Sequence, residues 1–410
     1  MEQFIKDQIV YSLKYLPANL LKFFFIPKEN EATKDLRKKG FLCGVCHPNE
    51  NYEQIRQANI EWIRIDIPYP YDENGNLRDG YIAFKERCRG YVESGIKVMA
   101  VTPYATEYIA NGADPRTAEG EKNARATARF LVEDLKGFVA GWQITNEMGI
   151  PRFTIPLTMD EAIAFIALHL EEMYPRRGDT VIGYNSAGPQ ADLHAKLRPW
   201  HKYCDYVGID IYLGCFFTAP GFMFLFTALT RYLYALTGKP VLIQEFGYLS
   251  GGKPKTKQQK IDVLRRYGVE SEAQAKNDIV RFTDALPETM REHVKYVCGN
   301  DPEKYFGFIF KSDYVNHLYT ELPRITKIPG YEHTPDGQAK FFSDILERFY
   351  KTKHICGAFI YCYSDPPRCY YCGQSDCPTE TQWGLVDKDG KPKPSYYAVQ
   401  KAFGKILNRE

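Results

Sequence analysis

The sequence has no basic run and no charged tail: 53 Lys and Arg stand against 51 Asp and Glu, a formal net charge of +2 at pH 7. Nothing in it could neutralise a row of phosphates, which excludes nucleic-acid binding as a main function. Low-complexity tracts and internal repeats are also missing. The opening MEQFIKD carries acidic residues where a secretory leader needs a cationic start and an apolar run. The cysteines number 11, an odd count, so thiols kept reduced in the cytoplasm are the expectation.

Two apolar stretches raise the question of a membrane. Between residues 8 and 26, Ile9, Val10, Leu13, Leu16, Leu20, Leu21, Phe23, Phe24 and Phe25 lie among Lys14 and Lys22. We read residues 1–40 as a helical extension that covers an open end of the fold, with a helix resting on a membrane surface as the alternative. Ile211 to Thr230 is free of charge, but Gly214, Pro220 and Gly221 interrupt it. The expectation is a helix between two strands, not a span, with an exposed apolar lip as a minor alternative.

Apolar runs of strand length alternate with helical patterns, the signature of parallel βα units. Eight runs qualify: 41–47, 61–67, 97–103, 138–145, 180–185, 206–212, 240–245 and 356–362. The predicted fold is α/β, a (β/α)₈ TIM barrel over residues 41–410. A long insertion, roughly 250–333, follows strand seven, and a Cys-rich loop follows strand eight. Loops after barrel strands rise on the catalytic face, so the insertion is expected to form a lid or a wall of the active site.

GWQITNE ends strand four and LIQEFG ends strand seven, each placing a glutamate, Glu147 and Glu245, at the carboxyl end of a strand. Two carboxylates converging across a barrel mouth are what acid/base cleavage of a glycoside requires. Period-two alternation points Trp62, Arg64 and Asp66 of EWIRIDI inward, and likewise Asp210 and Tyr212 of YVGIDIY. Trp142 falls on the outward register of strand four and reads as core. A buried structural ion pair of Arg64 with Asp66 or Asp210 is the plain alternative to a role in chemistry.

Asn146-Glu147, Glu245-Phe246-Gly247, the early HPNENYEQIRQANIEWIRIDIPY and the late WGLVDKDGKPKPSYYAVQ resemble clan A glycoside hydrolases, families five and thirty-nine in particular. The resemblance implies a retaining glycosidase acting on β-linked sugars, with Glu147 as acid/base, Glu245 as nucleophile and carboxyl groups about 5–5.5 Å apart. It further implies that Arg64 and Tyr212 hold the nucleophile and that Asn146 meets the sugar 2-hydroxyl. His47 and Tyr104, at the ends of strands one and three, are candidate sugar contacts. Strand eight ends IYCYSD, without the tryptophan usual in family five. Trp383 is the candidate stacking platform, with Tyr361 or Tyr363 as substitutes.

The loop CYSDPPRCYYCGQSDCP supplies Cys362, Cys369, Cys372 and Cys377. Cys-x-x-Cys-Gly suits a thiolate knuckle, so a structural zinc on these four residues is expected, against free thiols or a disulfide. Cys43 and Cys46, three apart on a strand, should face opposite sides. Catalysis is expected to need no cofactor. Rival barrel chemistries fare worse: a metal-dependent amidohydrolase needs HxH at strand one, where only His47 stands, and no strand ends in an inward lysine for a Schiff base. Ser250-Gly251-Gly252-Lys253 could cradle a phosphate but reads better as a hinge. A non-catalytic carbohydrate-binding barrel and a glycosidase working on glycolipid at a membrane surface are the remaining alternatives.

Overall fold

Strand-forming runs rich in Val, Ile and Tyr give eight parallel strands where the pattern predicts them. The structure is a computed structural model that describes residues 17, 19–215, 221–324 and 326–408. Its strands are β1 (Leu42–Cys46), β2 (Trp62–Asp66), β3 (Lys97–Val101), β4 (Gly141–Ile144), β5 (Val181–Ala187), β6 (Tyr206–Ile211), β7 (Val241–Phe246) and β8 (Ile355–Ile360). They close into one barrel in chain order, with β1 paired to β8. Parallel neighbours need crossovers, supplied by helices such as Asp79–Glu93, Ala118–Asp134, Met159–Met173, Met223–Thr237 and Pro335–Lys351. The expected (β/α)₈ barrel is thus what forms.

Alternation divides each strand between two cores. Val45, Ile63, Ile65, Val98, Trp142, Ile182, Val207 and Ile243 pack outward against the helices. Leu42, Cys46, Trp62, Met99, Val181, Tyr206, Leu242 and Phe359 fill the interior. Trp142 is therefore core, and Cys43 and Cys46 do face opposite sides. Gly44 stays small because a Cβ there would lie 2.3 Å from the ring of Phe359, its partner on the neighbouring strand β8.

The helix Glu31–Lys38, capped by Asn30, closes the amino-terminal end of the barrel and sends Leu36 into the interior core. Of the apolar stretch 8–26, residues 8–16 and 18 lie outside the described residues. Residues 19–25 run along the flank of helix Met223–Thr237: Asn19 donates to the Tyr232 hydroxyl, and Arg231 donates to the carbonyls of Phe23 and Ile26. Among the described residues, this end of the barrel is covered by 31–38 and not by 19–25. Leu21, Phe24 and Phe25 are exposed, as are Phe222 and Phe224 at the start of helix Met223–Thr237. No helix among the described residues is long and apolar enough to cross a membrane.

After β7 the chain builds a cluster of short helices, Lys257–Arg266, Glu288–Cys298, Pro302–Lys311 and Val315–Tyr319 among them. They bury a second apolar core around Phe282, Met290, Val294, Ile309 and Leu318. Cys369, Cys372 and Cys377, from the loop after β8, are part of that core. The Ser250-Gly251-Gly252-Lys253 stretch is tied down by its own contacts: the Ser250 hydroxyl donates to the Gln382 carbonyl and accepts from Lys393.

Candidate active site

The carboxyl ends of the strands surround a cavity of about 730 Å³, lined by Arg64, Asn146, Glu147, Asp210, Tyr212 and Glu245 among others. Strict alternation would turn Glu245 outward, because Val241 and Ile243 already pack against helices. A bulge in β7 reverses this. Ile209 pairs with Ile243 but Asp210 pairs with Glu245, so Gln244 is an extra residue. Gln244 donates to the Tyr206 hydroxyl inside the barrel, and Glu245 follows it inward.

Glu245 is 8% exposed and held by two donors. Arg64 Nη1 reaches its Oε1 at 2.7 Å and the Tyr212 hydroxyl reaches its Oε2 at 2.5 Å. The Arg64 guanidinium is buried and has no freedom left: Nε donates to Gln143 Oε1 at 2.6 Å and Nη2 to Asn146 Oδ1 at 2.7 Å. Arg64 therefore pairs with Glu245, not with Asp66 or Asp210. Three donors converge on Asn146 Oδ1, from Arg64, Gln143 and Asn185. That convergence fixes the amide and leaves Nδ2 as its group for a ligand.

Glu147 is presented by a strained turn. Thr145 and Glu147 both adopt left-handed backbone, with φ of 53° and 47°, a region that costs a β-branched residue about 1–3 kcal/mol. Side chains hold the turn in place. Thr102 Oγ1 accepts from the Thr145 N–H, Gln143 donates to the Thr145 carbonyl, and Asn185 Oδ1 accepts from the Glu147 N–H. Burial first, and repulsion from Glu245 second, push the Glu147 carboxyl up to about 8. Asp210 accepts from Asn185 Nδ2 at 2.7 Å; its own carboxyl is also raised, by burial and then by Glu245 and Glu147.

The cavity wall holds the other expected contacts. His47, with a left-handed φ of 48°, and Tyr104 both line it. Tyr104 stacks on Phe153 with centroids 5.6 Å apart. Trp383 does not: it is 0% exposed, its ring edge-on to Tyr212 and Tyr361 and its Nε1 donating to the Thr379 carbonyl. A ring enclosed in this way cannot stack on a ligand, and Tyr361 lines the cavity in its place. Tyr363 turns away into the core and donates to Gln54.

Several further residues of the site are marked by no motif in the sequence. Gln143 and Asn185 sit at inward positions near the ends of β4 and β5, so the alternation that found Arg64 could have found them. Glu380, from the loop after β8, lines the cavity, and burial pushes its carboxyl up to about 7. Tyr370 and Arg152 line it too. No periodicity marks these three, which come from a turn and two four-residue helices after β4 and β8.

The cysteine set needs a correction. Cys362 is apart from the others, its thiol donating to the Ser364 carbonyl. The fourth member of the cluster is His317, from the insertion: with Cys369, Cys372 and Cys377 it forms a group whose ligand atoms could hold a metal ion. A histidine more than fifty positions away carried no spacing signal. None of the 11 cysteines, all of them among the described residues, is in a disulfide.

No family model and no curated protein matches the chain. Solved structures do. A family 39 glycoside hydrolase from the gut symbiont Bacteroides cellulosilyticus WH2 superposes with a TM-score of 0.53 at 15% identity, covering 93% of this chain and 66% of that one. A GH2 beta-galacturonidase from Eisenbergiella tayi gives a TM-score of 0.50 at 14% identity, over 89% and 51% of the two chains. The Parabacteroides merdae beta-glucuronidase gives 0.50 at 12%, over 88% and 37%. The chain thus spans just under two thirds of the first and about half or less of the others. The likeness is one of fold: this chain is a (β/α)₈ barrel of the kind on which these glycoside hydrolases are built.

Proposed function

We propose that the protein is a retaining glycoside hydrolase that cleaves β-linked glycosides, with Glu147 as acid/base and Glu245 as nucleophile. The observation that carries this reading is a pair of glutamates in one cavity with unlike surroundings, one buried beside a second carboxylate and the other held by a guanidinium and a phenol hydroxyl. Glu147 keeps its proton near neutral pH because it is buried beside another carboxylate. Glu245 faces a buried guanidinium and a hydroxyl donor. This is the division of labour that glycoside cleavage demands.

In the first step Glu147 gives its proton to the glycosidic oxygen while a Glu245 oxygen attacks the anomeric carbon. The leaving group departs as an alcohol and a glycosyl ester forms on Glu245. That ester has no charge, so the repulsion that raised Glu147 is gone and the carboxylate becomes the better base. In the second step Glu147 takes a proton from water, whose oxygen attacks the same carbon and releases Glu245. Arg64 and Tyr212 hold the nucleophile in place by their hydrogen bonds to its two oxygens. Asn146 Nδ2 is placed to donate to a sugar hydroxyl, and His47, Tyr104 and Tyr361 supply the wall. The ligand is a carbohydrate. The reaction as proposed needs no cofactor, and the one ion we propose for this chain is a structural zinc away from the carboxylates.

The test is a panel of aryl β-glycosides offered to the wild-type chain and to Glu147→Gln and Glu245→Gln. Turnover lost in both variants, with a 2-fluoroglycoside adduct on Glu245, is the expected result. Turnover that survives either change, or an adduct on another residue, would remove the assignment.

A further inference from the structure

The loop after β8 and the insertion after β7 meet at the four-residue cluster, and the spacing there is that of a coordination sphere. His317 Nδ1 lies 3.4 Å from Cys369 Sγ and 3.5 Å from Cys377 Sγ, and the ligand atoms of all four residues fall within 4.8 Å of one another. Bonds of about 2.3 Å to sulfur and 2.0–2.1 Å to nitrogen, at tetrahedral angles, would put nitrogen and sulfur about 3.6 Å apart. The three cysteines are at most 2% exposed. A disulfide would leave one thiol over and give the imidazole no reason to sit between two sulfurs.

We propose that His317, Cys369, Cys372 and Cys377 bind one Zn²⁺, and that this ion clamps the insertion to the loop after β8 and so holds one wall of the cavity. Thiolates and an imidazole are a donor set that selects zinc, and binding would release the thiol protons to solvent. Cys369 and Cys372 flank a knuckle: the Gly373 N–H donates to the Cys369 carbonyl at 2.8 Å, with Gly373 at a φ of +68°. His317 comes from the other partner, helix Val315–Tyr319. Among the described residues the polar ties between the two include Gln374 Nε2 to the His317 carbonyl at 3.0 Å, the Tyr314 hydroxyl to the Tyr371 carbonyl at 2.8 Å and Thr320 Oγ1 to Asp376 Oδ2 at 3.4 Å.

The link to the cavity is short. Tyr370 is the neighbour of Cys369, and Glu380 comes three residues after Cys377; both line the cavity. The Arg152 guanidinium, also at the cavity, rests 4.9 Å from the centre of the Tyr371 ring. Three cavity residues therefore depend on the position of a loop that the ion would pin. Glu147 and Glu245 stand on β4 and β7 and do not. The consequence for turnover rests on the glycosidase reading, whereas the zinc site does not.

The test begins with zinc content by elemental analysis of the full chain purified under reducing conditions. One zinc per chain is expected in the wild type and in Cys362→Ser, and none in His317→Ala or Cys369→Ser. A wild type without zinc, or zinc retained by both of the latter variants, overturns the site. Loss of zinc in Cys362→Ser overturns the ligand set. To separate the clamp from any folding defect of a variant, it is read on wild-type protein stripped by a chelator and then reloaded with zinc, by hydrogen exchange over 314–320 and 366–382. Protection in both segments should fall and return together, and unchanged protection overturns the clamp. Stripping should also raise KM for an aryl β-glycoside by about tenfold with kcat within about twofold. Equal KM and kcat with zinc removed would separate the ion from the cavity wall.

Discussion

Glu147→Gln should abolish turnover and at the same time stabilise the protein at alkaline pH. In the wild type the folded carboxyl is raised from 4.5 to about 8, chiefly by burial and then by Glu245. The folded state therefore holds this proton more tightly than the unfolded chain does. Its contribution is fully present below pH ~4.5 and is lost as pH rises toward about 8, so stability falls with pH across that window. At about 1.4 kcal/mol per unit the ceiling on this loss is about 5 kcal/mol, and coupling to Glu245 and Asp210 reduces it. Glutamine has no proton to lose and escapes the penalty. Urea denaturation at about pH 5 and about pH 9 should show the variant gaining on the wild type by about 2 kcal/mol or more between the two conditions. A gap that is the same at both pH values, or that shrinks on the alkaline side, would refute the argument that Glu147 is forced to stay protonated.

The same carboxyl sets a limb in the rate profile: kcat/KM for a glycoside with a poor leaving group should fall above pH about 8, and a profile flat through that range would contradict Glu147 as the acid. Tyr212→Phe removes one of the two donors to Glu245 and should lower kcat by about 10²-fold with the fold intact by circular dichroism. Arg64→Lys cannot reach Glu245, Gln143 and Asn146 at once, and kcat/KM should drop by at least about a hundredfold; a variant near wild-type activity would show that the fork is not needed. Trp383→Ala empties a buried space behind Tyr212 and Tyr361 and should cost about 3–5 kcal/mol in denaturation experiments, more than a ring exposed to ligand would.

Much of the barrel was legible in the sequence because its signal is local. Ile63, Ile65 and Ile67 alternate with Trp62, Arg64 and Asp66, and that period of two states which side chains reach the interior. The Asn146-Glu147 and Glu245-Phe246 pairs were legible as well, since catalytic groups of a barrel stand where strands end. Loops carry no such period. Glu380, Tyr370 and Arg152 reach the cavity from segments whose course depends on what they pack against, and Trp383, expected at the surface of the site, is enclosed behind it by Tyr212 and Tyr361.

The sequence by itself determined the number and order of the strands, the barrel they close into, and the pair of glutamates at its mouth. Hydrophobic periodicity encodes these, and each is read within one element. Tertiary structure decided the rest. The bulge at Gln244 turns Glu245 inward against the alternation of its own strand, with Gln244 bonded to Tyr206 inside the barrel and Phe246 packed in the outer core. The left-handed turn at Thr145 and Glu147 persists because Thr102, Gln143 and Asn185, from three strands or their ends, hold its backbone. His317 replaces Cys362 in the cysteine cluster because the insertion and the last loop fold into one core. Each of these depends on contacts between segments far apart in the chain, and no local pattern records them.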